Sequence, residues 1–235
     1  MEEAVYNNLL KNYQKHWWIQ SRVKIFRNLI KQMNLKNPKI LDYGSGVGNN
    51  LNFLIKLGKV SCYEPHEKTK KFIKKKFKKV TVLNDVTKKY DLILITDVIE
   101  HVKNDKALIN KLTKNLNKGG YLFCTAPAFS FLFSKIDIRF KHYRRYKKDT
   151  AIKILNKNLK LIKFSYFNFF LFIPICFSIL IIKIFNFKNI KVEKNPNNFV
   201  NLILFKIFSS ENFFLNRINF PFGISTLMIC KKINN

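Results

Sequence analysis

The 235 residues can hold one α/β domain with a sizeable core and perhaps one insertion. Lys and Arg number 44 against 14 Asp and Glu, a formal charge of +30. Such an excess points to nucleic acid or an anionic membrane face, unless an AT-rich genome has simply loaded the surface with lysine. Cys62, Cys124, Cys176 and Cys230 form no C-x-x-C pair, so neither a zinc site nor a disulfide framework is expected, and the reduced thiols fit a cytoplasmic protein. Met1-Glu-Glu-Ala is acidic and lacks the apolar core of a signal peptide.

Residues 4–33 show helical spacing, first in Leu9, Leu10, Tyr13 and Trp17 and then in Val23, Phe26, Leu29, Ile30 and Met33. Lys39–Tyr43 reads as a short buried strand with Asp42 near its end. Gly44, Ser45, Gly46, Val47 and Gly48 then turn tightly into a helix over 49–57. Glycines let the backbone bend sharply and approach a ligand, and N–H groups at a helix start favour a polar or anionic edge. Lys59–Tyr63 is the second strand, and Glu64 follows it about 20 positions after the glycines, where an acid can bind ribose hydroxyls. A basic helix over 66–78, with Phe72 and Phe77 turned inward, leads to a third strand at Val80–Leu83 that ends in Asn84-Asp85. Tyr90–Thr96 is nearly all apolar, as a central parallel strand should be. Asp97-Val-Ile-Glu100-His101-Val102 follows at its carboxyl end, where open α/β sheets bind ligands, so His101 points toward the reacting centre. Further on come a helix over 104–116 capped by Asn104, a fifth strand at Tyr121–Pro127, and a loop-rich segment over 128–146. A helix over 147–157 and a sixth strand at Leu159–Phe167 complete the core pattern.

The order strand, glycines, helix, strand, acid resembles the first motif of class I S-adenosylmethionine-dependent methyltransferases, (D/E)-x-G-x-G-x-G, matched by Asp42, Gly44, Gly46 and Gly48. This spacing differs from the dinucleotide fingerprint G-x-G-x-x-G. The resemblance implies that S-adenosylmethionine is held by Asp42, Gly44, Ser45, Gly46, Gly48, Glu64 and Asp97, with Asp85 accepting from the adenine amino group. D-x-x-E-H-V at Asp97–Val102 is similar to the subgroup that includes the ubiquinone-biosynthesis O-methyltransferases. His16-Trp17-Trp18 with Arg22 resembles that branch's "H-x-W-F…R" segment, with Ile19 in place of phenylalanine, and sets Trp18 and Arg22 beside the methionine end of the cofactor or over the acceptor. The "D…G-H-x-R-R-Y" stretch that crosses the active-site mouth is matched by Asp137, His142, Arg145 and Tyr146, with Lys141 in place of the glycine. These four line the substrate side, with His101 the first candidate base and His142 the second. No obligatory metal is expected, although Glu100 with His101 resembles part of a divalent-ion site in some related O-methyltransferases.

The family implies a Rossmann-like seven-stranded mixed sheet of order 3-2-1-4-5-7-6 with helices on both faces. The expected organisation is cap helices over 1–37, a core over 38–167, an apolar helical hairpin over 168–221 and a closing antiparallel strand over 222–235. Phe169–Ile182 is short for a membrane span of about 20 residues, and a span there would strand the closing segment on the wrong side. The hairpin, with arms at 169–187 and 198–215 and fringed by Lys183, Lys188, Lys191 and Lys194, instead suits a membrane interface or a packed subdomain. The expected activity is methyl transfer, favouring oxygen, to a lipid-like or otherwise apolar small molecule, in the cytoplasm or peripherally on the inner membrane face. RNA methylation or a non-catalytic binding role is the alternative. Against RNA, the segment after the fourth strand lacks (N/D)-P-P-(Y/F).

Overall fold

The computed structural model describes residues 10, 15–187 and 194–233. Leu9, Tyr13, Lys188 and Lys191 lie outside the described residues. Seven strands form one sheet: β1 (Lys39–Tyr43), β2 (Lys59–Tyr63), β3 (Thr81–Leu83), β4 (Tyr90–Thr96), β5 (Leu116–Pro127), β6 (Leu159–Phe167) and β7 (Ser225–Lys232). Their order is β3-β2-β1-β4-β5-β7-β6, with β7 antiparallel to both neighbours, as expected. Four of the strands, β1, β2, β4 and β6, keep the bounds read from sequence.

The sheet is covered on both faces, which is why β4 is apolar without alternation: Leu92, Ile93, Leu94 and Ile95 are all fully buried. One face packs on α1 (Trp17–Lys31), α2 (Leu51–Leu54) and α3 (Glu67–Lys76), through Ile25, Phe26, Leu51 and Ile73. The other packs on α4 (Asp105–Lys114) and α6 (Lys148–Lys153), through Ile109, Leu112 and Ala151. Asn104 caps α4 by accepting from the Ala107 N–H at 2.9 Å. Asp42 pairs in register with Cys62 on one side and Leu94 on the other, so β1, β2 and β4 end together and their carboxyl ends share one edge.

Some boundaries differ from expectation. The helix expected over 49–57 is only Leu51–Leu54, because Gly44, Gly46 and Gly48 at φ of +71°, +53° and +78° keep the preceding residues in turns. The helix expected over 147–157 ends at Lys153. The loop over 128–146 contains a short turn of helix at Ser130–Leu132 and α5 (Lys135–Phe140), whose first turn is held by the Ser134 N–H donating to Asp137 Oδ2 at 2.9 Å. Lys141 ends α5 at φ +59°, supplying with a lysine the left-handed turn for which glycine is the usual choice.

The two apolar segments are helices, α7 (Phe172–Ile184) and α8 (Asn198–Phe214), but their main contacts are with other elements rather than with each other. α8 lies along α1, with Trp17 N–H donating to Asn201 Oδ1 at 2.9 Å and Ser21 Oγ to the Phe205 carbonyl at 3.3 Å. The Phe208 ring meets Trp17 and Trp18. α7 packs instead on the Ser130–Leu132 turn. Among the described residues no helix is long and apolar enough to cross a membrane.

Candidate active site

The strand ends, α1, the segment after β4, α5 and α7 enclose a cleft of about 820 Å³, within the usual range for small-molecule sites. One end is built from the glycine turn. Gly44 must be glycine, since a Cβ there would sit 2.5 Å from Val98 Cγ2. At Gly46, by contrast, a Cβ would meet nothing within 4 Å, so this left-handed turn presents bare backbone to the cleft. Glu64, buried beside it, accepts from the Gly46 N–H at 2.8 Å and the His66 N–H at 2.9 Å. Burial raises its carboxyl pKa, and those two hydrogen bonds oppose the rise. Tyr43 and Tyr63 stack with ring centroids 4.7 Å apart on the same wall. Among the described residues Asn49 Oδ1, on a residue lining the cleft, is buried and has no hydrogen-bond partner. A bare left-handed backbone, an acid at the next strand end, an aromatic pair and an unpartnered polar atom fit an adenosine-bearing cofactor.

The other end carries the histidines. His142 is held by Asp137: its Nδ1 lies 2.9 Å from Oδ1 of a fully buried carboxylate. Arg145 grips the same carboxylate through two bonds, Nε to Oδ1 at 2.8 Å and Nη2 to Oδ2 at 2.9 Å. Hydrogen bonds from His142 and Arg145 outweigh burial and hold the Asp137 carboxyl down at about 2. With Nδ1–H directed at Asp137, Nε2 is the nitrogen left to accept a proton. His101 stands edge-on to His142, centroids 4.7 Å apart. Burial, then the neighbouring His142, pushes its pKa down to about 4, so His101 is neutral at pH 7. Glu100 lines the cleft, fully buried, with neither carboxylate oxygen hydrogen-bonded. Burial, reinforced by nearby Asp97, raises its pKa well above the ordinary carboxylate range. Glu100, His101 and His142 each offer a ligand atom within 4.8 Å of the others, a two-imidazole, one-carboxylate set that suits a divalent cation.

Between the two ends lies Arg22. Its guanidinium contacts Asp97 at 2.7 Å, Thr125 Oγ1 at 2.9 Å and Ser225 Oγ at 3.3 Å, packed against the rings of Trp18, Phe26 and Phe167. Asp97 holds φ +55°, a left-handed conformation uncommon for a non-glycine residue, which turns the chain out of β4 into the cleft wall.

Trp18, Arg22, Gly44, Ser45, Gly46, Glu64, Asp97, His101, His142 and Arg145, all expected at the site, therefore meet on one cleft. Five expected residues do not reach its wall. Asp42 lies beneath it, fully buried, and burial raises its carboxyl to about 7 against the opposing effect of Asn50. Gly48 packs on Phe77 and Leu51, where a Cβ would fall within 3 Å of both. Asp85 is exposed and accepts from Lys111 Nζ at 3.2 Å and from the Val86 N–H. Asp137 acts through His142 and Arg145. Tyr146, placed by its motif on the substrate side, is buried instead, its hydroxyl 2.8 Å from Asp105 Oδ2. Sequence reasoning left out Tyr43 and Asn50 as cleft residues and named Glu100 only as part of a divalent-ion site, although Tyr43 stands at a strand end where ligands are expected. It also left out Ile175, Ile179 and Ile182 of α7, for which no local signal exists.

The family profile described as "Methyltransferase domain" matches residues 17–160. The chain belongs to that family. It is accordingly a methyltransferase, and its methyl donor is S-adenosylmethionine. A search of curated proteins finds no match. Among solved structures, the plantazolicin methyltransferase BpumL, in complex with a monoazolic desmethylPZN analog and SAH, is similar at 15% identity with a TM-score of 0.60, covering 97% of this chain and 89% of that one. A putative methyltransferase from Bacillus halodurans C-125 gives 18% identity and a TM-score of 0.56 over 88% of this chain and 99% of that one. Coclaurine N-methyltransferase bound to N-methylheliamine and SAH gives 17%, 0.57, 89% and 72% in the same terms. At these identities the likeness concerns the fold.

Proposed function

We propose that this methyltransferase transfers a methyl group to a hydroxyl of an apolar, lipid-like small molecule, working at an anionic membrane surface. The observation that carries this proposal is the shared cleft: a histidine braced by a buried carboxylate faces the same space as the glycine turn, and the wall near it also carries Ile136, Phe140, Ile175, Ile179 and Ile182. S-adenosylmethionine supplies an electrophilic methyl group, with its adenosine held by the glycine turn, the Tyr43–Tyr63 pair and Glu64.

His142 takes the acceptor's hydroxyl proton at Nε2, since Asp137 orients its Nδ1–H and Arg145 fixes Asp137. His101, the first candidate from sequence, is depressed to about 4 and is therefore a poor base; it serves as a neutral hydrogen-bonding partner for the acceptor oxygen. Arg22 is paired with Asp97 and poised to receive the cofactor's carboxylate. The apolar wall excludes water from the reacting centre and favours a hydrocarbon-bearing acceptor. The lysine excess draws the protein to anionic headgroups.

The test uses methyl-labelled S-adenosylmethionine with the purified protein and a host extract split into lipid, RNA, protein and small-molecule fractions. Label in the lipid fraction is the expected outcome. Label in RNA instead would replace the lipid acceptor with a nucleic acid and make the lysines a phosphate-binding surface.

A further inference from the structure

Thirteen residues form α7, and both of its faces are apolar. Ile175, Ile179 and Ile182 look into the cleft, and Ile175 and Ile179 pack with Trp18 in a small cluster that also holds Leu132 and Ile224. On the opposite side Ile173, Phe177, Leu180 and Ile184 are 52–75% exposed. A helix is only about 10 Å across, so these two sets are separated by a single layer of backbone. One helix is thus the wall between the acceptor space and whatever covers its outer face.

The outer surface of α7 is apolar, and the insertion that carries it is cationic in sequence. Phe185, Phe187 and, across the described residues of the same insertion, Phe199 and Phe213 add exposed aromatic area. Isolated exposed apolar residues are ordinary, but a contiguous helix face of this kind marks an interaction site. Residues 168–223 contain only two acids, Glu193 and Glu211, against six Lys and Arg. Glu211 is buried, and its carboxylate accepts from the backbone N–H groups of Asn168 and Phe170. Lys183 lies at the carboxyl end of α7, where its Nζ donates to the Phe131 carbonyl while the side chain stays exposed. Apolar side chains among uncompensated cations match the interface of an anionic bilayer, in which the rings reach the acyl boundary and the lysines meet the headgroups.

Resting on the function just proposed, we infer that α7 is a membrane-seated gate: its outer face docks on an anionic bilayer and a bilayer-resident lipid reaches the cleft laterally past α7, without crossing water. Two features of the helix ends suit such movement. Asn168 turns at φ +56° and Asn186 at φ +54°, so the helix is bounded on both sides by left-handed residues rather than by continuous secondary structure. The low-energy path for an apolar molecule then stays apolar from the acyl region to Ile179 and Trp18.

The experiment uses vesicles of phosphatidylglycerol and phosphatidylethanolamine carrying a diazirine at the end of one acyl chain. The full-length protein is floated with them, irradiated and mapped by mass spectrometry. Photolabel on Ile175, Ile179, Ile182 or Trp18 as well as on the outer residues is the expected result. Label confined to Phe177, Leu180 and their outer neighbours would overturn the lateral route while leaving membrane docking intact. A protein that binds S-adenosylmethionine by calorimetry but does not float would overturn docking and route together. So would an outer face buried in a dimer detected by light scattering. As a fold-neutral control, Phe177→Asp with Leu180→Asp should cut the floated fraction about tenfold or more and leave S-adenosylmethionine affinity unchanged.

Discussion

Asp137→Asn tests the brace that aims His142. The substitution keeps the side chain's shape but removes the charge that accepts one bond from His142 and two from Arg145. The carboxyl is held from an ordinary 3.8 down to about 2. That difference corresponds to about 2 kcal/mol in favour of the ionised, folded form. Arg145, itself buried, would be left without its counter-charge, and breaking a buried pair from one side costs about 3–5 kcal/mol. Part of that is recovered because Asn can still accept one bond, so a loss of about 3 kcal/mol is expected, lowering Tm by about 6–12 °C in a chain of this size. The pH dependence is the sharper signature. Because the folded-state pKa is depressed, the stabilisation is fully present above pH 4 and is lost as pH falls toward 2. Thermal unfolding followed by circular dichroism should therefore show the gap between wild type and Asp137→Asn largest near pH 6 and shrinking between pH 4 and 2. A gap that is absent at pH 6, or that stays constant down to pH 2, would refute the brace.

Other substitutions probe separate parts of the account. His142→Ala should lower kcat by about 10²–10⁴ with S-adenosylmethionine affinity unchanged by calorimetry, whereas a loss of cofactor affinity would place His142 at the wrong end of the cleft. Lys141→Gly should raise Tm by about 2–4 °C, since glycine adopts the left-handed turn without the ~1 kcal/mol penalty of a Cβ, and differential scanning calorimetry reads this directly. Asp42→Asn reports on a carboxyl that burial raises to about 7. A raised acid opposes folding increasingly as pH climbs from 4 toward 7, so the cofactor-free variant should gain stability over wild type at pH 8 and little or nothing at pH 4. Glu64→Gln, which retains one acceptor oxygen but no charge, should weaken S-adenosylmethionine binding about 10–100-fold by calorimetry with an unchanged circular dichroism spectrum.

The central sheet was legible because burial on both faces leaves little freedom. β4 must be apolar throughout, and β1 and β2 end at the glycine turn and Glu64, so their limits are written in residue type. The glycine end of the cleft was legible for a related reason: Gly44 and Gly46 are demanded by backbone geometry, which leaves a local trace in the sequence. What sequence could not give was direction. α7 is apolar nearly all round and α8 intersperses Asn201, Lys206, Ser209 and Glu211 among its apolar residues, so periodicity does not say which face packs where, and α8 settles on α1 while α7 closes the cleft. The motif groups Asp137 and Tyr146 with His142; Asp137 does bond His142 and Arg145, whereas the Tyr146 hydroxyl turns to Asp105, and only the folded chain brings these contacts together. Asp85 sits at the end of β3 as the motif requires, yet its exposed carboxylate is drawn to Lys111, 26 residues further along the chain.

Calorimetric titration of S-adenosylmethionine into wild type and Gly46→Val tests the central claim most directly. The valine side chain would project into open cleft rather than into protein, but φ +53° strains a β-branched residue, so the comparison is made only on variant protein whose circular dichroism spectrum and Tm match wild type. Saturable one-to-one binding by wild type, abolished in the variant, is the predicted result. Equal binding by both proteins would contradict the assignment of the glycine turn, and with it the orientation of the whole active site.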